Sequence, residues 1–144
     1  MRIHFLASKH EQIVDYFLTP IRFNKNMLKD MGYDIHIYYG IDEEYLNCDI
    51  LCLISKSVIP QLKETSTVFT KEGPVISLIN KARKYANKII WCDNSDSTSV
   101  THFEILPYVD LYLKKQLFKD KSLYNKEFYG GRIFTEFYHQ KNGV

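Results

Sequence analysis

The sequence predicts an α/β domain: a Rossmann-like three-layer arrangement around a central, mainly parallel sheet of about five strands. Three observations carry this. Apolar runs alternate with amphipathic stretches in the order β-α-β-β-α-β-α-β, with only a short polar link between the second and third strands, and such alternation belongs to parallel sheets. The run Asp49-Ile-Leu-Cys-Leu-Ile54 is apolar almost throughout, as strands covered on both faces are. The run Ile89-Ile90-Trp91-Cys92 breaks abruptly into Asp93-Asn-Ser-Asp-Ser-Thr-Ser99. Polar loops at strand carboxyl ends are where open α/β sheets bind ligands.

Taken in order, Ile3–Ala7 reads as the first strand. Ser8-Lys-His-Glu11 has the S-x-x-E pattern of a helix start, and Ile13, Val14, Phe17 and Leu18 follow on one side. Thr19-Pro20 then reads as the start of a second helix, running to about Met31 and ended by Gly32. Asp34–Tyr39 is the second strand, closed by Gly40, and Asp49–Ile54 the third and central one. Residues 55–73 hold Pro60 and Thr65-Ser-Thr67, which predict a loop with one helical turn, a candidate mobile lid. Gly73-Pro74 opens a helix whose inner side is Val75, Leu78, Ile79, Ala82 and Ala86. Residues 88–92 form the fourth strand, His102–Leu106 a helical turn stopped by Pro107, and Val109–Leu113 the fifth strand. Beyond it the rhythm fades: a helix over Gln116–Tyr124, a turn at Tyr129-Gly-Gly-Arg132, and an edge strand or amphipathic turn over Ile133–Tyr138. The domain is expected to span residues 1–115, with 116–144 a basic extension toward a second domain.

Composition fits this frame. The chain has 144 residues, 45% hydrophobic and 25% charged, enough for one domain with a core. Net charge is +2, but residues 111–144 hold seven basic groups against three acidic ones. That basic tail is either a solvated face or a contact for phosphate, nucleic acid or acidic lipid. Cys48, Cys52 and Cys92 are odd in number and the first pair is spaced C-x3-C, which fits neither a disulfide framework nor a zinc site. No signal-peptide pattern and no run of about 20 apolar residues occurs, so a cytoplasmic protein is expected.

The candidate chemistry sits on the strand-end loops. Asp93 and Asp96 are spaced D-x-x-D, so neither the metal-binding nor the phosphatase D-x-D pattern fits, and neither a metal nor a cofactor is expected. Either carboxylate is placed to act as general base or to hydrogen-bond hydroxyls; alternatively Asp93 or Ser95 caps the next helix. His102 offers a base with a pKa near neutrality, or else packs. Asp93 and His102 are thus the candidate catalytic residues. Ser8, Lys9 and His10 follow the first strand and, with Asn94, Ser95, Asp96 and Arg132, are the candidate substrate-binding residues. No G-x-G-x-x-G follows the first strand, and no P-loop or G-x-S-x-G motif occurs.

Leu28–Ile37 is similar to the helix–Gly–strand passage of GT-B glycosyltransferase amino-terminal domains. Ile89–Ser97, Leu106–Lys115, Lys119–Tyr124 and Tyr129–Thr135 together resemble bacterial glycosyltransferases of the surface-polysaccharide type. The resemblance implies two Rossmann-like halves facing across a cleft, of which this chain is the acceptor side, inactive alone. The nucleotide-sugar donor is then held mainly by the second half, to which the family's acidic donor motif belongs. The partners implied are a sugar acceptor and a nucleotide-sugar donor; a homodimer and peripheral membrane association stay open, and nucleic acid is disfavoured. The competing expectation is a non-enzymatic flavodoxin-like domain that binds a small ligand or a partner.

Overall fold

The computed structural model describes residues 1–9, 12–62, 73–95 and 97–143. It is an α/β domain with a five-stranded, wholly parallel sheet of order β2-β1-β3-β4-β5. The strands are β1 (Arg2–Ala7), β2 (Asp34–Tyr39), β3 (Ile50–Ile54), β4 (Lys88–Asp93) and β5 (Leu111–Lys114). Helices α1 (Gln12–Phe23), α2 (Lys25–Asp30), α3 (Ser55–Gln61), α4 (Pro74–Ala82) and α5 (Ile133–Asn142) connect or follow them.

Successive strand residues point to opposite faces, so an apolar run fills two cores at once. On one face Leu6, Leu51, Leu53, Ile89 and Trp91 pack with Val75, Ile76, Ile79 and Ala82 of α4 and with Ile105. On the other, Phe5, Ala7, Cys52, Ile54 and Cys92 pack with Val14 and Leu18 of α1. The three cysteines are buried free thiols. Among the described residues no helix is long and apolar enough to cross a membrane.

Several local expectations need correction; the turn expected to stop at Pro107 runs through it as a 3-10 helix over Phe103–Tyr108. Pro20 does not restart a helix: α1 runs through it, because the buried stripe of Val14 and Leu18 continues to Ile21 on the same side. The single helical turn expected within 55–73 is the longer helix α3 over Ser55–Gln61, which buries Ser55, Ser57 and Val58; Pro60 sits within it. The expected lid over the rest of 55–73 lies largely at 63–72, outside the described residues. Gln116–Tyr124 forms no α-helix, only a 3-10 turn over Lys121–Asn125 whose first turn Asp120 caps through Ser122 N–H (2.9 Å). Ile133–Tyr138 belongs instead to α5, ended by Gly143 at φ +66°.

Gly32 ends α2 as expected. Its φ of +88° lets its own N–H reach the Lys29 carbonyl (2.9 Å) and the Tyr33 N–H reach that of Leu28 (2.9 Å), so the last carbonyls are met. Edge strand β5 is tied at its start by Asp110. That carboxylate accepts from Ile89 N–H (2.8 Å), from Lys88 Nζ (3.1 Å) and from the Arg83 guanidinium. Burial opposes this charge, but those donors hold the carboxyl at about 2.

On the β1–β2 side His4 is buried, and its Nδ1 donates to the Tyr45 carbonyl (2.7 Å). A carbonyl only accepts, so the ring proton is on Nδ1 and Nε2 is a buried acceptor without a partner among the described residues. Burial lowers the His4 pKa more than this hydrogen bond raises it.

Candidate active site at the strand carboxyl edge

Parallel strands deliver their carboxyl ends to one edge, so the residues that follow β1, β3, β4 and β5 meet there. The chain leaves β1 toward β2 and returns past it to β3, which makes the β1/β3 gap the crevice where such sheets bind ligands. Here Ser8 N–H donates to Ser57 Oγ at 3.0 Å. Gln61 Nε2 closes the gap by donating to the Ser57 carbonyl (2.8 Å) and the Ala7 carbonyl (3.3 Å). One strand over, Ser55 Oγ donates to Asn94 Oδ1 (2.9 Å) and accepts from Asn94 N–H (3.2 Å). Lys56 N–H also donates to Asn94 Oδ1, at 3.1 Å. Asn94 is only 1% exposed, and its Nδ2 has no partner among the described residues.

Asp93 is the centre of a second group. It is 1% exposed. Its Oδ1 accepts from Ser95 N–H (3.0 Å); its Oδ2 accepts from Tyr112 OH (2.5 Å) and Lys114 Nζ (3.2 Å). The β4–β5 register sets this up, since Asp93 lies opposite Lys114 and Trp91 opposite Tyr112. Burial alone would raise the Asp93 carboxyl, but the hydrogen bonds from Tyr112 and Ser95 outweigh it and bring it below the usual range. Burial and the neighbouring carboxylate push the Tyr112 phenol far up.

His102 adjoins the same group. Its backbone N–H donates to Tyr112 OH (3.0 Å), and its Nδ1 lies 3.4 Å from Trp91 Nε1 and 3.8 Å from Asp93 Oδ1. The second distance is beyond hydrogen-bond reach. An indole N–H only donates, so His102 Nδ1 accepts and the imidazole is neutral. Burial, which lowers its pKa more than Asp93 raises it, agrees with that. Asp93 and His102 are therefore together, as expected. Donors from the protein surround the carboxylate, so in this arrangement it orders the Ser95 loop and the β5 end rather than meeting a ligand itself.

Of the substrate-binding candidates, Ser8, Asn94 and Ser95 stand on this edge and are largely enclosed, and Lys9 is exposed beside them. Arg132 is exposed and helps line a cavity of about 310 Å³ with Ser97, Thr98, Gln116, Ile133 and Phe134. His10 and Asp96 lie outside the described residues. Sequence reasoning missed Ser55, Ser57 and Tyr112, and took Lys114 as a basic-tail contact for phosphate rather than as the buried partner of Asp93. Only the strand period of Tyr112 and Lys114, which puts both on one face, signals any of them. Among the described residues no cluster of His, Cys, Asp and Glu is placed to hold a metal ion. No family model matches the chain, and no curated protein matches it.

Proposed function

We propose that this chain is the acceptor-side half of a GT-B type glycosyltransferase. In this reading it holds a surface-polysaccharide acceptor on the strand carboxyl edge, while a second domain presents most of the nucleotide-sugar donor. The observation that carries the reading is the collection of hydroxyl and amide groups at the ends of β1, β3 and β4, beside cavities with aromatic walls. Sugars need such a mixture, because their hydroxyls ask for paired donors and acceptors and their C–H faces for apolar contact. Asp93, Tyr112, Lys114 and His102 serve it by fixing the loop that carries Asn94 and Ser95. Arg132 supplies a cation for a phosphate or acidic group on the ligand.

Amide-resolved NMR of the chain, titrated with UDP, GDP and a glycan panel, tests this. Glycan-induced shifts at Ser8, Asn94–Thr98 and His102 are expected. A chain that responds to no glycan refutes the reading. The second reading, a non-enzymatic flavodoxin-like binding domain, draws on the strand order β2-β1-β3-β4-β5, whose switch point lies between β1 and β3. It predicts shifts from a planar aromatic or phosphate ligand at Ser8 and Ser55–Ser57 instead.

A further inference from the structure

We infer that the cavity between α1 and the carboxyl ends of β4 and β5 is a saccharide subsite, in which the Asn94 side-chain amide donates to an oxygen of one sugar ring. The inference rests on the sugar-binding reading above and gives that site a defined contact. The cavity has a volume of about 190 Å³ and is lined by Tyr16, Phe17, Asn94 and Lys115. This is smaller than the roughly 300–1,000 Å³ of a complete ligand pocket, and suits one ring of a longer chain.

The Asn94 amide is oriented without ambiguity. A backbone N–H cannot donate to an NH2 group, so the end that meets Lys56 N–H and Ser55 Oγ is the oxygen. Both partners lie on the α3 side, which turns Nδ2 away from α3. There it is a buried donor with no acceptor among the described residues. Such an atom is costly to leave unmet, and native structures keep few of them. A ligand oxygen in the adjoining cavity removes that cost.

The walls complete the argument. Tyr16 is 67% exposed, and its OH accepts from Gln12 Nε2 at 2.8 Å, so an aromatic ring is held at the cavity with a face free to stack. Phe17 is half-buried against the α1-side core and forms the floor. Lys115 closes the rim, placed by its backbone N–H to the Asp93 carbonyl (3.0 Å). An aromatic wall, an apolar floor and one fixed amide donor match a pyranose, with an apolar face and a rim of oxygens.

The test is NMR titration of the ¹⁵N-labelled full chain with methyl glucoside, methyl galactoside and glucuronic acid at millimolar concentration, and separately with UDP. The Asn94 side-chain amide pair should shift together with the backbone amides of Tyr16 and Phe17. Tyr16→Ala, a change at an exposed position, should weaken binding about tenfold, while Tyr16→Phe keeps it, since the ring face and not the hydroxyl makes the contact. Asn94→Asp keeps the acceptor for Ser55 and Lys56 but loses the donor, and should also weaken binding by about tenfold or more.

Saccharide shifts at Ser8, Ser97–Ser99 or Arg132 with Asn94 and Tyr16 unmoved overturn this subsite and leave the glycosyltransferase reading standing. If no saccharide shifts any residue, both fall. If UDP alone shifts the Asn94 amide, the occupant is a nucleobase and the saccharide assignment is refuted.

Discussion

Replacing Lys114 with methionine removes the ammonium that faces Asp93 while keeping most of the side-chain volume. The pair is buried: the two side chains are 1% and 0% exposed, with Nζ 3.2 Å from Oδ2. Deleting one member of such a pair strands the other charge and costs about 3–5 kcal/mol. Asp93 still keeps donors from Tyr112 and Ser95, which places the expected loss near the lower figure, about 3 kcal/mol. That is a large part of a total of roughly 5–15 kcal/mol, and corresponds to a fall in Tm of roughly 6–12 °C for a domain of this size. Trp91 is the sole tryptophan and fully buried beside His102, so its fluorescence reports urea unfolding directly. The double variant Asp93→Asn with Lys114→Met removes both charges and should lose clearly less than the sum of the single losses. A Lys114→Met protein within about 0.5 kcal/mol of the parent, or losses that simply add, would refute the buried pair as the anchor of this edge.

Three further outcomes follow from the same structure. His4 and His102 both have pKa values lowered by burial, so the unfolded chain takes up protons first. Stability should therefore be complete above the ordinary histidine value of about 6.5 and fall as pH drops below it; a urea midpoint that stays level down to about pH 5.5 contradicts this. Asp110→Asn weakens the ties to Arg83, Lys88 and Ile89 N–H and should cost about 1–2 kcal/mol, less in high salt because these groups are partly exposed; equal losses at low and high salt count against it. Gly32→Ala meets open space, so the left-handed φ alone sets its cost, about 1–2 kcal/mol by thermal unfolding; a neutral result shows that the turn relaxes.

The strands were legible because burial on both faces needs only local composition, and Asp49–Ile54 carries that plainly. Gly32 was legible because a left-handed turn has few other solutions. Ser55 and Ser57 were not, because what buries them lies far along the chain, at Asn94 and Ser8. Small polar residues bonded across such distances look like loop in any local window. Lys114 reads as one more charge of a basic tail; only the register opposite Asp93 takes it inside. Pro20 misled because its helix-starting role was weighed without the apolar stripe that continues beyond it. Phe134, Phe137 and Tyr138 do stand at helical spacing, but α5 buries none of them, so no core confirms the period. The candidate site was legible as a place, the loop after β4, and less so as chemistry, since the protein itself takes up the Asp93 oxygens.

Edge strand β5 has four residues, and Leu111 and Leu113 are each 47% exposed. Little apolar burial holds it down; its polar ends do. The fastening at Asp110 faces water, whereas the one at Asp93 and Lys114 does not. The two therefore respond to different conditions: salt loosens the first and leaves the second. Amide hydrogen exchange along β4 and β5 should then advance from the Ile89 end as ionic strength rises, while Cys92 and Asp93 stay protected. The strand peels in one direction, from its Asp110 end toward the strand carboxyl edge, so that edge is the last part of it to open.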